Sequence, residues 1–175
     1  EFADQTEQLG TGHAVLMARD HFRGFRGTIL ILCGDVPLLR LQTVEALKAY
    51  HRAEGAIVTV LTTLLEDPQG YGRIIKDADR NILRIVEEKD ASAGEKKVKE
   101  INTGIYCVEA DFLFDAVEKI RNRNAQREYY LTDIIGMAVE RHEKAKSCIA
   151  PDSNEVMGIN TQEDLKRAEE EMKKR

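Results

Sequence analysis

TILILCGDVPLL, residues 28–39, opens with six residues free of charge and rich in branched side chains, then breaks at Gly34-Asp35 ahead of Pro37. A short continuous apolar run bounded by turn residues is predicted to be a strand covered on both faces, the pattern of a buried parallel strand. Gly-Asp before proline is turn chemistry, which sets Asp35 at the carboxyl end of that strand. Ligands of open α/β sheets bind at such ends. A carboxylate there suits Mg²⁺, which takes hard oxygen ligands together with substrate phosphates. A plain turn accounts for the same residues, and position is the only support for the metal role.

The segments on either side alternate in type. Upstream, Gly12–Phe22 has helical spacing, with Ala14, Val15, Met17 and Ala18 apolar. Downstream, a helix is predicted from about Thr43 to a stop at Gly55, a C-cap residue, and AIVTVLTTLL reads as a second buried strand. RII and ILRIVEE flank the turn-forming DADRN and read as a hairpin. Residues 91–99, ASAGEKKVK, read as a solvated loop, INTGIYCVE as a strand, and ADFLFDAVEKIRN as an amphipathic helix with Phe112, Phe114, Val117 and Ile120 facing the core. YYLTDIIGMAVERHEK reads as a helix, AKSCIA as a short strand, and residues 161–175 as a charged helix starting at Thr161, its acids early and its bases late. There is no internal repeat. The alternation predicts an α/β fold: a mixed, mostly parallel sheet with flanking helices and an antiparallel hairpin insertion.

Composition narrows the function. A chain of 175 residues is the size of one domain with a real core, and 42% apolar against 33% charged residues is that of a globular protein. A net charge of -5 argues against a general nucleic-acid or anionic-membrane binder. No apolar run approaches the ~18 residues of a membrane helix. No signal peptide is expected from these residues, which do not begin with Met. Cys33, Cys107 and Cys148 are odd in number, widely spaced and set in apolar stretches, which predicts reduced core thiols in a cytoplasmic protein rather than a disulfide or zinc framework.

Further stretches can carry chemistry. In QLGTGHA, two glycines and Thr11 lead into a helix, a turn able to hold a base edge or a phosphate, or a plain N-terminal turn with Thr11 as cap; His13 reads as structural. DPQGYGRI, with Pro68, Gly70 and Gly72, exposes backbone after a strand. Glu87 and Asn102 sit at strand ends, and a carboxylate and an amide facing one pocket suit the hydroxyls and N-acetyl group of a sugar; a solvated edge charge also explains Glu87. Asn160 precedes the last helix as a boundary residue, or its amide oxygen completes the shell of a metal held by Asp35. Hydrolase elbows, HExxH and P-loop patterns are absent.

The order of these stretches along the chain, QTEQLGTGHA, CGDVPLL, DPQGYGRI, IVEEKDA, EINTGIY, NAQREYYLTDII and GINT, resembles the uridylyltransferase domain of the bacterial bifunctional N-acetylglucosamine-1-phosphate uridylyltransferase/glucosamine-1-phosphate acetyltransferase family. The likeness spans nearly the whole chain. It implies a nucleotide-diphospho-sugar transferase fold, N-terminally incomplete, with residues 1–175 a single unit forming the C-terminal part of a nucleotidyltransferase domain. It further implies a Mg²⁺-dependent transfer of UMP from UTP to N-acetylglucosamine 1-phosphate, giving UDP-N-acetylglucosamine and pyrophosphate, in a homo-oligomeric parent of cell-wall biogenesis. By the same resemblance Gln5, Gly10 and Thr11 meet the uridine nucleotide, the glycines letting the main chain lie against uracil. Asp35 and Asn160 hold Mg²⁺, with Asp35 the catalytic residue. Gly72, Glu87 and Asn102 form the sugar pocket, and EYYLTD is a nearby wall without assigned roles. Cys33 and Gly34 stand in the stretch that meets substrate; the family's tyrosine before Gly-Asp is Cys33 here, where a backbone contact survives.

The family's opening strand and glycine-rich LxAAGxGTRM loop with its lysine, which cradle the triphosphate, have no counterpart in this chain, nor does the hexapeptide-repeat acetyltransferase domain. A fragment inactive by itself is the expectation. Two alternatives stand beside it: a transferase for another sugar 1-phosphate, and a non-catalytic remnant that binds nucleotide sugars or mediates assembly.

Overall fold

The computed structural model describes residues 1–173. Strands β1 (Thr28–Ile31), β2 (Val58–Leu64), β3 (Arg73–Lys76), β4 (Ile82–Val86), β5 (Glu100–Glu109) and β6 (Ala145–Ile149) form one six-stranded sheet. Helices α1 (Thr11–Met17), α2 (Leu41–Glu54), α3 (Ala110–Val117), α4 (Asp133–Glu140) and α5 (Gln162–Lys173) accompany it.

The organising element is β5. Its second half is paired on one edge by β1 and on the other by β2, antiparallel in both cases, and β3 joins beside its start with Arg73 opposite Ile101. β4 closes the expected hairpin on β3, and β6 runs parallel to β2. The mixed α/β architecture with a hairpin insertion is thus found, but the mostly parallel sheet is not. Among the described residues only β2–β6 is a parallel ladder. β1, β2 and β6 do share one direction, yet β5 runs against them and lies between β1 and β2. Apolar runs report burial on both faces, and helices on both sides of the sheet provide that whatever the strand direction. β1 accordingly pairs antiparallel and is partly rather than fully buried.

Side chains of β2 and β5 alternate between two cores. Val58, Val60, Tyr106 and Val108 pack on one face with Phe112 and Leu113 of α3 and Ile134 and Ile135 of α4. Leu61, Ile105 and Cys107 pack on the other with Leu47 of α2, Val36 and Val156. Phe112, Val117 and Ile120 are buried as expected, and Phe114 packs at the edge of the first core. All three cysteines are free, with Cys107 buried and Cys33 and Cys148 half-buried.

Several ends move from their expected places. α2 ends at Gly55 in the left-handed region, as its sequence demands. α1 stops at Met17, and Arg19–Phe22 form a 3-10 turn. α3 ends at Val117, short of the expected Asn122. α4 starts only at Asp133, because the amides before it are committed elsewhere: Tyr129 N–H donates to Leu9 O (2.8 Å) and Leu131 N–H to Thr11 Oγ1 (3.0 Å).

α5 opens with a capping box. The Asp164 N–H donates to Thr161 Oγ1 (3.1 Å), and the Asp164 carboxylate accepts from the Thr161 N–H (2.9 Å). The last two residues of the expected helix lie outside the described residues. Thr161→Ala is expected to cost about 1 kcal/mol, read as a Tm drop of about 2–4 °C for a chain of this size.

Candidate active site

A break in β5 aims the first site residue. The β2–β5 register passes from Val60 opposite Tyr106 to Thr62 opposite Asn102, so β5 carries two extra residues, and Gly104 turns there at φ +77°. A Cβ on Gly104 would stand 2.5 Å from Cys33 Sγ, so only glycine fits. The bulge locks Asn102, whose Oδ1 accepts from Gly104 N–H (3.0 Å) and from Tyr106 Oη (2.9 Å). Tyr106 is fully buried, which pushes its phenol well up and keeps it a neutral donor. Cys33 Sγ lies against the Gly104 carbonyl (3.4 Å), and burial, with the Asp35 charge added, holds the thiol protonated.

Glu87 follows the last residue of β4 and is half-buried. A Cβ on Gly72 would meet both its carboxylate oxygens at 3.2 Å, so Gly72 lets the carboxylate lie against the backbone. Glu87 Oε1 accepts from Thr132 Oγ1 (3.2 Å). Burial raises its pKa above the ordinary glutamate range. Asp90 and Asp133 add to the rise, while Thr132 and Arg73 oppose it. Gly72 O accepts the Asn102 N–H (2.9 Å), which ties the two halves of this pocket together.

Asp35 and Asn160 come together around a third glycine. A Cβ on Gly158 would stand 3.2 Å from Asp35 Oδ2 and 3.5 Å from Asn160 Nδ2. Ile159 N–H donates to Asp35 O (2.9 Å), which pins the two loops to each other. Thr161 supplies the cap of α5, so the Asn160 side chain is not spent on that task. Both side chains are exposed. Among the described residues there is no cluster of three or more histidine, cysteine or acidic side chains. The set on hand is one carboxylate and one amide across a gap that a Cβ would fill. It fits a hard divalent cation that draws its remaining ligands from phosphate and water.

The N-terminal stretch differs from expectation in its cause. Gln5 Nε2 donates to Gly10 O (3.0 Å) and lies 3.0 Å from His13 Nδ1, so Gln5 clips the turn. A Cβ on Gly10, at φ +110°, would fall 2.7 Å from Tyr129 O and 2.9 Å from Tyr129 N; one on Gly12 would fall 2.9 Å from Ile120 Cδ1. These glycines admit the backbone of the 124–131 segment. The position a Cβ would take on each is filled by this chain itself. Gly34 is the converse: nothing stands within 4 Å of its Cβ position.

Residues 1–173 match the family described as nucleotidyl transferase. The chain belongs to the nucleotidyl transferase family. Relatives named bifunctional protein GlmU include those of Pelobacter propionicus, 52% identical over 98% of this chain and 37% of the relative, and Geobacter sulfurreducens, 54% identical over 99% and 36%. A third, from Desulfotalea psychrophila, is 49% identical over 99% of this chain and 51% of its own length. The chain thus spans between about a third and a half of these relatives. Its fold is similar to that of a UDP-glucose pyrophosphorylase complexed with UDP-glucose, with a TM-score of 0.71 at 14% identity over all of this chain and 66% of that one.

In this nucleotidyl transferase, Thr11, Cys33, Glu87 and Asn102 line one cavity of about 490 Å³, with apolar walls from Val15, Ile29 and Phe114. Asp35 and Asn160 do not line it, but Asp35 is two residues past Cys33 and close enough for its charge to act on that thiol. Tyr71 connects the two regions: it precedes Gly72, its hydroxyl approaches Met157 Sδ (3.8 Å), and Asp35 and Asp164 lie close enough to help burial raise its pKa. Thr132, Tyr106 and Arg73 are site residues that the sequence reading did not single out. EYYLTD was the one available signal for Thr132; Tyr106 and Arg73 sit in strands and read as ordinary sheet positions.

Proposed function

We propose that this chain forms part of a nucleotidyltransferase domain that transfers UMP from UTP to N-acetylglucosamine 1-phosphate, releasing pyrophosphate, within a longer, homo-oligomeric cytoplasmic protein. The observation that carries the reading is the convergence of Asp35 and Asn160 across Gly158, beside a cavity lined by Thr11, Glu87 and Asn102. Relatives named GlmU at about half identity point the same way.

In this reading the protein does little covalent work; it aligns two anions for in-line displacement at the α-phosphorus of UTP. Asp35 and Asn160 would hold Mg²⁺, whose charge, when bound, offsets the repulsion between the phosphates. Gln5, Gly10 and Thr11 present the uridine-facing backbone, and Cys33 and Gly34 bring the main chain to the substrate. Glu87 accepts a sugar hydroxyl, and Asn102, its Oδ1 held by Tyr106 and Gly104, turns Nδ2 as a donor toward the N-acetyl group. Gly72 leaves room for Glu87 and for the sugar ring. The phosphate-cradling loop is assigned to sequence outside these residues, so the test uses the full-length protein.

That protein should release pyrophosphate from UTP with N-acetylglucosamine 1-phosphate and Mg²⁺, in preference to glucose 1-phosphate or other nucleoside triphosphates. Binding without turnover would instead favour a nucleotide-sugar-binding module. Glu87→Ala is expected to weaken the sugar phosphate by about 1–3 kcal/mol, seen as a raised KM for that substrate alone. In the wild type the carboxylate is the acceptor and its pKa is raised. Sugar-phosphate affinity should therefore fall on acidification, from a higher pH than an ordinary glutamate would give. The same shift has the opposite sign for folding: the folded state binds the extra proton, so this group's contribution to stability declines as pH rises through the raised pKa.

A further inference from the structure

Building on the sugar pocket inferred above, we propose that Arg73 is its positioning residue: one buried guanidinium holds in place the Gly70–Gly72 loop against which the Glu87 carboxylate lies. Arg73 begins β3 and is only 1% exposed. One of its terminal nitrogens donates to the Tyr71 carbonyl, and the other to Glu88 Oε2 at 2.6 Å. The same Glu88 oxygen accepts the Gly70 N–H (3.2 Å). Two successive residues of the loop are therefore tied to a single guanidinium–carboxylate pair. The third, Gly72, is held from the other side by the Asn102 N–H and carries the Glu87 carboxylate against its Cα.

A buried guanidinium costs folding free energy, and its pairing with a carboxylate often does no more than offset that cost. Arg73 carries a further penalty, because its Nε–H is buried with no partner. An apolar side chain would fill the site without either burden. The groups that face Glu87 explain what the charge does there. Asp90 and Asp133 are acidic, Tyr106 and Tyr130 are phenols that stay neutral, and Thr132 donates one hydrogen bond; against the acids, Arg73 adds positive charge. With Arg73 removed, Glu87 is left to burial and like charges, takes up a proton at higher pH and loses an acceptor site.

The test is steady-state kinetics of the full-length protein with UTP and the sugar 1-phosphate it uses, as a function of pH. Arg73→Met should raise the KM for the sugar phosphate by about tenfold, leave the KM for UTP unchanged, and move the acid limb of kcat/KM to higher pH. Arg73→Lys keeps the charge but not the fork; it should restore the acid limb while the sugar KM stays raised. Adding Glu87→Gln to Arg73→Met should abolish the shift of the limb. An unmoved acid limb in folded Arg73→Met, or equal rises in both KM values, would overturn the proposal. Should that variant fail to fold, Arg73→Lys and Glu88→Gln decide it, and an unchanged sugar KM in both overturns it. A wild type that prefers a sugar other than N-acetylglucosamine would revise the substrate proposed above, and the Arg73 variants would still be read against the sugar it takes.

Discussion

Replacing Asp35 by alanine in the full-length protein is expected to lower kcat by about three orders of magnitude while leaving sugar-phosphate affinity nearly unchanged. The size follows from the site. Asp35 is the carboxylate at the Gly158 gap, and its companion Asn160 is a neutral amide, so the variant strips the only formal negative charge from the pair. A bound cation's stabilisation of transition-state charge is worth several kcal/mol, and about 1.4 kcal/mol is a factor of ten in rate. Asn160→Ala should have the same direction and a smaller size, since an amide oxygen is the weaker ligand. Pyrophosphate release at saturating substrate, titrated with Mg²⁺, reads both. Near-normal turnover of the Asp35 variant would remove the basis for the metal assignment.

The second large effect falls on stability. Gly10→Ala is expected to destabilise the protein by about 2–4 kcal/mol, combining a strained backbone with overpacking, and to lower Tm on the order of 5–15 °C. Gly10 sits at φ +110°, and an added Cβ would press on backbone atoms of Tyr129, which have no rotamer to escape into. The Leu9 O–Tyr129 N and Gly12 N–Tyr129 O bonds, each 2.8 Å, would have to open. Gly34→Ala is the control: its Cβ points into open space, and Tm should move by no more than about 0.5 kcal/mol allows. A glycine kept solely for a base to approach would behave differently, raising the KM for UTP with Tm intact. Thermal unfolding of Gly10→Ala beside its UTP kinetics separates the two roles.

This difference shows where reading the chain succeeds and where it stops. The Gly-Asp turn after TILILC, the DADRN hairpin and the Gly55 stop are visible because each depends on the dihedral preferences of a few adjacent residues. Asp35, Glu87 and Asn102 were legible as candidates because polar residues bordering apolar strand patterns are few, although Asn102 lies inside β5, two residues past its start, and not at the strand end expected. QLGTGHA was legible as a special turn, but its cause was not. The atoms that demand glycine belong to Tyr129, more than a hundred residues away. Arg73 was illegible for a related reason: at the head of a strand it looks like a surface charge, and only Tyr71 and Glu88 folded over it bury it.

Taken alone, the sequence determined the alternation of strands and helices, the caps and turns, and the identity and order of the residues that carry the family likeness. These are short-range properties, set by side-chain periodicity and local backbone preference. Tertiary structure alone decided that β5 threads antiparallel between β1 and β2, that Asn160 is released from capping by Thr161 to stand beside Asp35, and that Thr132 and Arg73 attend Glu87. Each of these depends on which distant surfaces bury each other, and burial on both faces of a sheet is indifferent to the direction of its strands.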